Sequence, residues 1–225
     1  MTRSRKKAPV DWHALADVQL PGLQQAKRDD LRPGGHHDGL AFDGLALGDL
    51  RGDDAAFLEC RICACVIEEG TLQRARLRSC LLEDVRATVL DTSDSTWADV
   101  VVRGSRIGAL LAHGAELVRV TVDHGLLDYV NLRGATLSQC QFVDCRIGEL
   151  DLGAGELTDV RFSGCEISSL VVSGCTLDEV DLRGAQLAAL DGIGSLAGSL
   201  ITEAQLVRLA PALATHLGIR VLPPE

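Results

Sequence analysis

The eight cysteines are the residues of this 225-residue chain with the greatest potential for chemistry. An even number of cysteines in a short secreted protein is typical of disulfides, and the run CRICAC (60–65) superficially resembles a metal motif. Zinc, however, needs ligands that converge on one point. Seven of the cysteines recur at a single position of a five-residue repeat, and Cys60 and Cys65 fall on different sides of the coil that this repeat predicts. We therefore interpret the cysteines as small apolar packing residues and expect no metal and no cofactor.

The histidines and carboxylates form no clearer catalytic arrangement. His36 and His37, in the sequence GGHHDG, are the only adjacent pair, and the glycines around them predict a surface loop. The sequence contains no glycine-rich phosphate cradle that leads from a strand into a helix, and no nucleophile elbow. A rod without a cleft would give paired carboxylates no environment that shifts their pKa values. We expect a protein that is not an enzyme.

The charge balance excludes further classes of protein. The formal net charge is -10, whereas a surface that binds nucleic acid needs an excess of Lys and Arg. The first ten residues carry Arg3, Arg5, Lys6 and Lys7 without the apolar run of a secretory signal. No stretch approaches the ~20 apolar residues of a membrane span. We predict a cytoplasmic protein whose residues 1–10 are a disordered basic tail.

A period of five residues organises most of the chain. The blocks that start at Asn131 read NLRGA, TLSQC, QFVDC, RIGEL, and the same phase holds from Ala41 to Leu190 without an insertion or deletion. The second residue of each block, here called the centre, is apolar at every position from 42 to 187 except Gly52 and Thr92. The position two residues before each centre is always small or aliphatic and never charged, so two positions in five must face inward.

Neither an α-helix nor a plain strand places two residues in every five on one side. A chain that turns a corner every five residues does, and four sides make a coil of twenty residues. Stacked coils pair as parallel strands, which satisfies the backbone hydrogen-bonding groups of each block. Aromatic residues are only 3% of the chain although hydrophobic residues reach 46%, in agreement with a narrow interior filled by aliphatic side chains.

The blocks DLRGA (181–185) and NLRGA (131–135) resemble the consensus of the pentapeptide-repeat family. The resemblance implies an all-β fold: a right-handed quadrilateral parallel β-helix, or pentapeptide-repeat solenoid, over residues 40–190, with a C-terminal α-helical cap. Inward residues depart from the consensus between 86 and 116, where we expect a less regular structure. Among them are Thr92, Trp97 and Ala112.

Both ends of a parallel β-helix need caps, because an open sheet edge promotes aggregation. Residues 11–39 are predicted to be an N-terminal cap that lies over the first coil, and 191–225 a helical C-terminal segment. Thr202 and Gln205 fit a capping box, Gly218 is a candidate stop, and Pro211 is expected to kink or split the helix. The resemblance implies a homodimer through this segment. The candidate dimer residues are Leu206, Leu209, Leu213, Leu217, Ile219 and Val221.

Two functions remain open from the sequence. The resemblance to the acidic, mycobacterial fluoroquinolone-resistance type of pentapeptide-repeat protein implies a DNA mimic that binds and modulates or protects DNA gyrase, a type II topoisomerase. The alternative is a structural scaffold or interaction module with an unrelated protein partner. The most acidic side of the predicted coil is centred on Leu157 and Leu177. Its candidate partner-binding residues are Glu156, Asp159, Asp178 and Glu179.

Overall fold

The chain forms a four-sided parallel β-helix closed by one C-terminal α-helix. The structure, a computed structural model, describes residues 10–222, so the predicted basic tail lies almost wholly outside the described residues. Eighteen strands belong to a single sheet, and every pair recorded in it is parallel. The strands are β1 (Gln24–Gln25), β2 (His36–Asp38), β3 (Leu40–Asp43), β4 (Ala46–Arg51), β5 (Ala56–Leu58), β6 (Arg61–Cys63), β7 (Val66–Thr71), β8 (Arg76–Glu83), β9 (Arg86–Asp91), β10 (Thr96–Arg103), β11 (Arg106–Leu111), β12 (Glu116–Asp123), β13 (Leu126–Asn131), β14 (Thr136–Val143), β15 (Arg146–Asp151), β16 (Glu156–Val171), β17 (Thr176–Asp191) and β18 (Ser199–Leu200), followed by the helix α1 (Glu203–His216).

Residues twenty positions apart pair in register, which confirms the predicted coil. Leu137 pairs with Leu157, and Leu157 with Leu177. We name each face of the rod after a centre residue near its C-terminal end: the Leu177, Leu182 and Leu187 faces carry strands, and the Val172 face is built from turns such as 152–155. The centres and the small inward positions of the coils are buried and form one continuous core.

The inward cysteines share a hydrogen bond that the sequence did not reveal. Each of the seven places its thiol within 2.9 to 3.5 Å of the carbonyl oxygen of the residue 23 positions earlier, a centre residue of the preceding coil. In six of them the carbonyl oxygen two residues earlier, at 3.2 to 3.6 Å, is a second acceptor for the same S–H. All eight cysteines are free thiols. Burial raises the pKa of Cys140 to about 11, which keeps the thiol protonated and unreactive. Their predicted packing role is confirmed.

The prediction of an irregular stretch between 86 and 116 is wrong. Strands β10 and β12 keep the twenty-residue register throughout, as do β9 and β11. The register shifts lie elsewhere, at positions 46–49 of β4 and 161–165 of β16. The backbone hydrogen bonds between coils keep the register, although the centre residues of this stretch range in size from Ala112 to Trp97. A small apolar cavity beside Thr92, Trp97 and Ala112 remains.

The first coil begins earlier than the sequence suggested. β2 pairs with β5, and His37 pairs with Phe57 in the register of the later coils. His37 is therefore a buried centre residue, only 4% exposed, and the prediction of a surface loop at His36 and His37 is wrong for His37. The glycines of this sequence supply turn conformations, with Gly34 and Gly39 at positive φ, and do not interrupt the coil.

The N-terminal segment caps only part of the first coil. β1 pairs with β3, and Ala26 is buried against the core, as expected of a cap. Residues 11–20, which we call the strap, instead run along the Leu182 face, where Trp12 lies beside Gln141 and Leu15 beside Thr121. The prediction that this segment lies over the first coil is wrong for the strap. Its backbone carbonyl oxygens accept hydrogen bonds from side chains on the side of the rod.

The C-terminal cap begins and ends as predicted. Thr202 and Gln205 form a reciprocal capping box, and the helix ends before Gly218, which has a φ of +71. The Gly218 amide donates to the carbonyl oxygen of Thr215, and the Ile219 amide donates to that of Ala214. The expectation that Pro211 splits the helix is wrong, because α1 continues through it from Glu203 to His216. A kink at Pro211, which removes a backbone donor, stays a prediction. Gln205 Nε2 donates to the carbonyls of Leu182 and Ala185, so its side chain takes the place of a further coil.

Candidate interaction surfaces

The predicted partner-binding residues lie close together near the C-terminal end of the Leu177 face. Glu156, Asp159, Asp178 and Glu179, which we call the acidic patch, occupy two adjacent coils about 4.8 Å apart. Glu156, Asp178 and Glu179 are exposed, and Asp159 is half-buried. The last three coils of this face (136–140, 156–160 and 176–180) contain no Lys, Arg or His. The patch is therefore a group of four carboxylates on a stretch of this face whose own residues include no cation, whereas Arg76, Arg78 and Arg119 lie on the same face in earlier coils.

Several arginines of the rod pair with carboxylates, most of them one coil away. Arg119 contacts Asp99 through two hydrogen bonds of 2.5 and 2.7 Å, and this contact lowers the pKa of Asp99. Arg103 bridges Glu83 and Asp123, the neighbours in its column. Such partly exposed pairs contribute little to stability. Their effect is to offset the charge of these arginines locally along the rod.

The predicted dimer residues divide between the rod and solvent. Leu209 and Leu213 are half-buried, and Leu209 lines a shallow pocket with Leu187 and Leu190. The other four point outward and form an apolar surface beside the helix. They are Leu206 (48% exposed), Leu217 (68%), Ile219 (57%) and Val221 (77%).

His37 is a titratable residue in the core that sequence reasoning misplaced. Its ring packs 4.7 Å from that of Phe57 and 5.8 Å from that of Phe42. Burial lowers the pKa of His37, and the nearby Arg32 and His36 lower it further, while Asp30 raises it. Its Nε2 has no hydrogen-bond partner among residues 10–222. The neutral form is thus favoured in the folded protein.

This depressed pKa predicts a pH dependence of stability. The unfolded chain takes up the proton first, so the free energy of unfolding should fall as the pH drops below the ordinary value of 6.5 and level off below the folded pKa. His37→Leu should remove this component, by about 1.4 kcal/mol for each unit of pKa difference. Chemical denaturation at pH 7.5 and 5 measures it, with the exposed His13→Gln as the control. An unchanged difference between the two pH values in His37→Leu would contradict the prediction.

The described part of the chain offers no sign of a metal site or a membrane span. No group of three or more His, Cys, Asp or Glu within residues 10–222 is arranged to hold a metal ion. No helix among these residues is long and apolar enough to cross a membrane.

Comparison with known proteins finds similarity only among solved structures. No family model and no curated protein matches the sequence. Full-length QnrB1, a plasmid-mediated fluoroquinolone resistance protein, is 16% identical, and the alignment covers 89% of this chain and 97% of QnrB1 with a TM-score of 0.43. HetL, a pentapeptide repeat protein involved in heterocyst differentiation regulation from the cyanobacterium Nostoc sp., is also 16% identical, with coverages of 85% and 94% and a TM-score of 0.23.

The repeat within this chain itself identifies its class more directly than these distant alignments. Its centres recur every five residues. Between His36 and Asp191, its strands pair with strands that lie about twenty residues earlier or later in the chain. By this period and this pairing, the chain is a parallel β-solenoid built from five-residue repeats.

Proposed function

We propose that this chain is a non-enzymatic acidic rod that docks in the basic groove of a DNA-binding protein, with DNA gyrase as the first partner to test. The observation that carries the proposal is the acidic patch. It presents four carboxylates on two adjacent coils of a face that lacks cations over its last three coils. The choice of gyrase follows from the resemblance of the repeat to the DNA-mimicking type of pentapeptide-repeat protein.

The rigidity of the coil is what suits the patch to this role. Asp159 and Glu179 occupy equivalent corner positions with φ of 53 and 56°, held by the strand pairs on either side of them. A backbone held in this way keeps the four carboxylates at a set spacing and loses little freedom on binding, and their summed field attracts a basic groove over several ångströms. Because such attraction is electrostatic, added salt should weaken the complex. Within this proposal the protein acts in the cytoplasm, where its eight thiols stay reduced.

Neutralising the patch is expected to weaken binding to gyrase by about 30-fold or more, since each lost contact contributes roughly 0.5–1 kcal/mol. The variant combines Glu156→Gln, Asp159→Asn, Asp178→Asn and Glu179→Gln. The measurement is the inhibition of gyrase supercoiling, or rescue from fluoroquinolone-induced cleavage, at low and moderate salt.

The matched control removes four exposed carboxylates from the opposite Leu187 face, so both variants have the same net charge. Its substitutions are Glu68→Gln, Glu69→Gln, Asp128→Asn and Glu149→Gln. The control should behave as wild type. Equal losses in both variants would mean that net charge, and not the patch, governs binding; no effect of the wild-type protein at micromolar concentration would exclude the tested gyrase as the partner.

A scaffold with an unrelated protein partner is the second candidate. The observation that favours it is a column of basic and apolar residues on the Leu187 face, in which Val66 and Leu126 are 47% and 42% exposed. In this column Arg86 and Arg106 are neighbours in the strand ladder and lie between Val66 and Leu126. Arg146 is the next residue of the column after Leu126. A mixed column of this kind suits a partner with acidic and apolar side chains. Binding to an unrelated protein that depends on this column, and not on the acidic patch, would support the scaffold.

We also propose that two copies associate through the exposed apolar surface beside α1. Leu217→Asp should convert a dimer into a monomer, because it places a charge in the apolar contact. Ala204→Asp, on the other side of the same helix, is the control and should remain dimeric. Sedimentation velocity at tens of micromolar measures the state, and a monomeric wild-type protein would contradict this proposal without affecting that for the patch.

A further inference from the structure

The strap is held on the Leu182 face by side chains that bind its backbone. Gln141 Nε2 donates to the carbonyl oxygen of Trp12 (2.7 Å) and Thr121 Oγ1 to that of Leu15 (2.8 Å). Arg103 Nη2 donates to the carbonyl oxygen of Ala16 (3.0 Å). All three acceptors are main-chain atoms, so these contacts would accept a segment of many different sequences.

The donors form a preorganised row. Arg161, Gln141 and Thr121 occupy the same outward position in three successive coils, paired in register. Arg161 Nη2 donates to Gln141 Oε1 (2.9 Å), and Gln141 Nε2 also donates to Thr121 Oγ1 (3.0 Å). Thr121 and Gln141 are only 0% and 1% exposed although they point away from the core, because the strap covers them. The row is thus a built site for carbonyl oxygens.

Trp12 supplies the specific contact at the C-terminal end of this row. Its ring lies 5.0 Å from the Arg161 guanidinium carbon, a cation–π contact. Arg161 Nε is buried without a hydrogen-bond partner among residues 10–222. The strap therefore leaves the Arg161 Nε–H donor without an acceptor. A bound segment with an oxygen acceptor beside its aromatic residue would give this donor a hydrogen bond.

The attachment of the strap is suited to exchange. Its only regular element is a 3-10 helix, Ala14–Ala16, and no strand pairing fixes residues 11–20 to the rod. Trp12, Leu15 and Ala16 are half-buried, and Asp11, His13 and Ala14 are exposed. The hydrogen bonds and ring contact that hold the strap are with outward side chains of the rod.

We propose that the row Arg161–Gln141–Thr121 with Arg103 is a peptide-binding strip, and that the strap is its resident intramolecular ligand. The partner is a protein segment with a tryptophan followed three residues later by an aliphatic residue, the pattern of Trp12 and Leu15. Such a segment displaces the strap and binds through its carbonyl oxygens and its ring. This site is separate from the acidic patch and does not depend on the function proposed for it.

The test measures binding of a labelled peptide of residues 10–20 (VDWHALADVQL) to the full chain by fluorescence anisotropy. In the wild type the strap competes at an effective concentration on the order of millimolar. In full-length Trp12→Ala the strap loses its ring, so the peptide should bind at least about 10-fold more tightly than to the wild type. A peptide with alanine in place of tryptophan should not compete for binding.

A second variant assigns the binding to the strip. Adding Gln141→Leu to Trp12→Ala removes the donor to the tryptophan carbonyl and should abolish peptide binding, while the far-ultraviolet circular dichroism of the coils stays unchanged. Failure of the peptide to bind Trp12→Ala, equal affinity for Trp12→Ala and the wild type, or binding that survives Gln141→Leu would each overturn the proposal.

Discussion

Phe162→Ala is expected to lower the free energy of unfolding by about 3–5 kcal/mol, the cost of removing a large aromatic side chain from a packed core. The Phe162 ring is 1% exposed and stacks on that of Phe142, with centroids 4.9 Å apart and planes at 8°. The interior is too narrow for the ring's place to be filled by movement of the surrounding ladders, so most of the cavity should persist. Urea unfolding followed by circular dichroism measures the change.

Phe162→Leu is the matched control, because Leu182 occupies the same column one coil later. It retains most of the volume and should cost less than about 1.5 kcal/mol. A cavity at Phe162 would also lie next to the acidic patch, since Phe162 directly follows the block that carries Glu156 and Asp159. A loss below about 1 kcal/mol for Phe162→Ala would show that the column collapses around the missing ring.

The coil itself was predictable from the sequence because its backbone demands are strictly periodic. Each block needs a centre that fills the interior and a small residue at the inward corner, and one missing residue would turn all later side chains to the wrong face. The columns of Leu137, Leu157 and Leu177 and the packing role of the cysteines follow from this requirement. Trp97 and Thr92 suggested an irregular coil because their side chains differ in size and polarity from the usual centre residues. The sequence does not show that the backbone ladders keep their register beside a small cavity.

The features that the sequence did not reveal depend on contacts between distant residues. Nothing in the neighbourhood of Trp12 indicates that its carbonyl meets Gln141, which is 129 positions away. His37 was misread because glycines at coil corners look the same as glycines in a loop. The acidic patch was predictable as a grouping because it follows from the period alone, whereas the burial of Leu209 and the exposure of Leu217 depend on how α1 lies across the last coil.

Gly198→Ala is expected to detach the C-terminal cap from the rod. Gly198 has a φ of +88, and a Cβ at this position would overlap the carbonyl oxygen of Leu177 and lie 2.7 Å from its carbonyl carbon. Both atoms are backbone of the last coil, so neither can move aside without breaking the ladder. The left-handed conformation alone costs an alanine roughly 1–2 kcal/mol, and the overlap adds to it.

The loss should be local, because each coil of a solenoid contacts only its neighbours. The Val180 amide donates to the Gly198 carbonyl (3.1 Å), and β18 pairs with Val180 and Asp181. We expect the protection of the Val180 amide against hydrogen exchange to fall about 100-fold, the equivalent of about 2.7 kcal/mol, while amides around Val120 keep theirs. Gly134→Ala is the control, since Gly134 also has a positive φ of +67 but no atom within 4 Å of its Cβ position.

Detachment of the cap would separate the two proposed interaction surfaces. The acidic patch belongs to coils that remain paired below the cap, whereas the apolar surface beside α1 would lose its fixed position. Gly198→Ala should therefore lose dimerisation, retain salt-dependent binding by the patch, and aggregate through the uncovered edge of β17. If Gly198→Ala remained a soluble dimer with a protected Val180 amide, the cap would have to be held by α1 and Gln205 alone, and the close approach at Gly198 would contribute nothing to closing the rod.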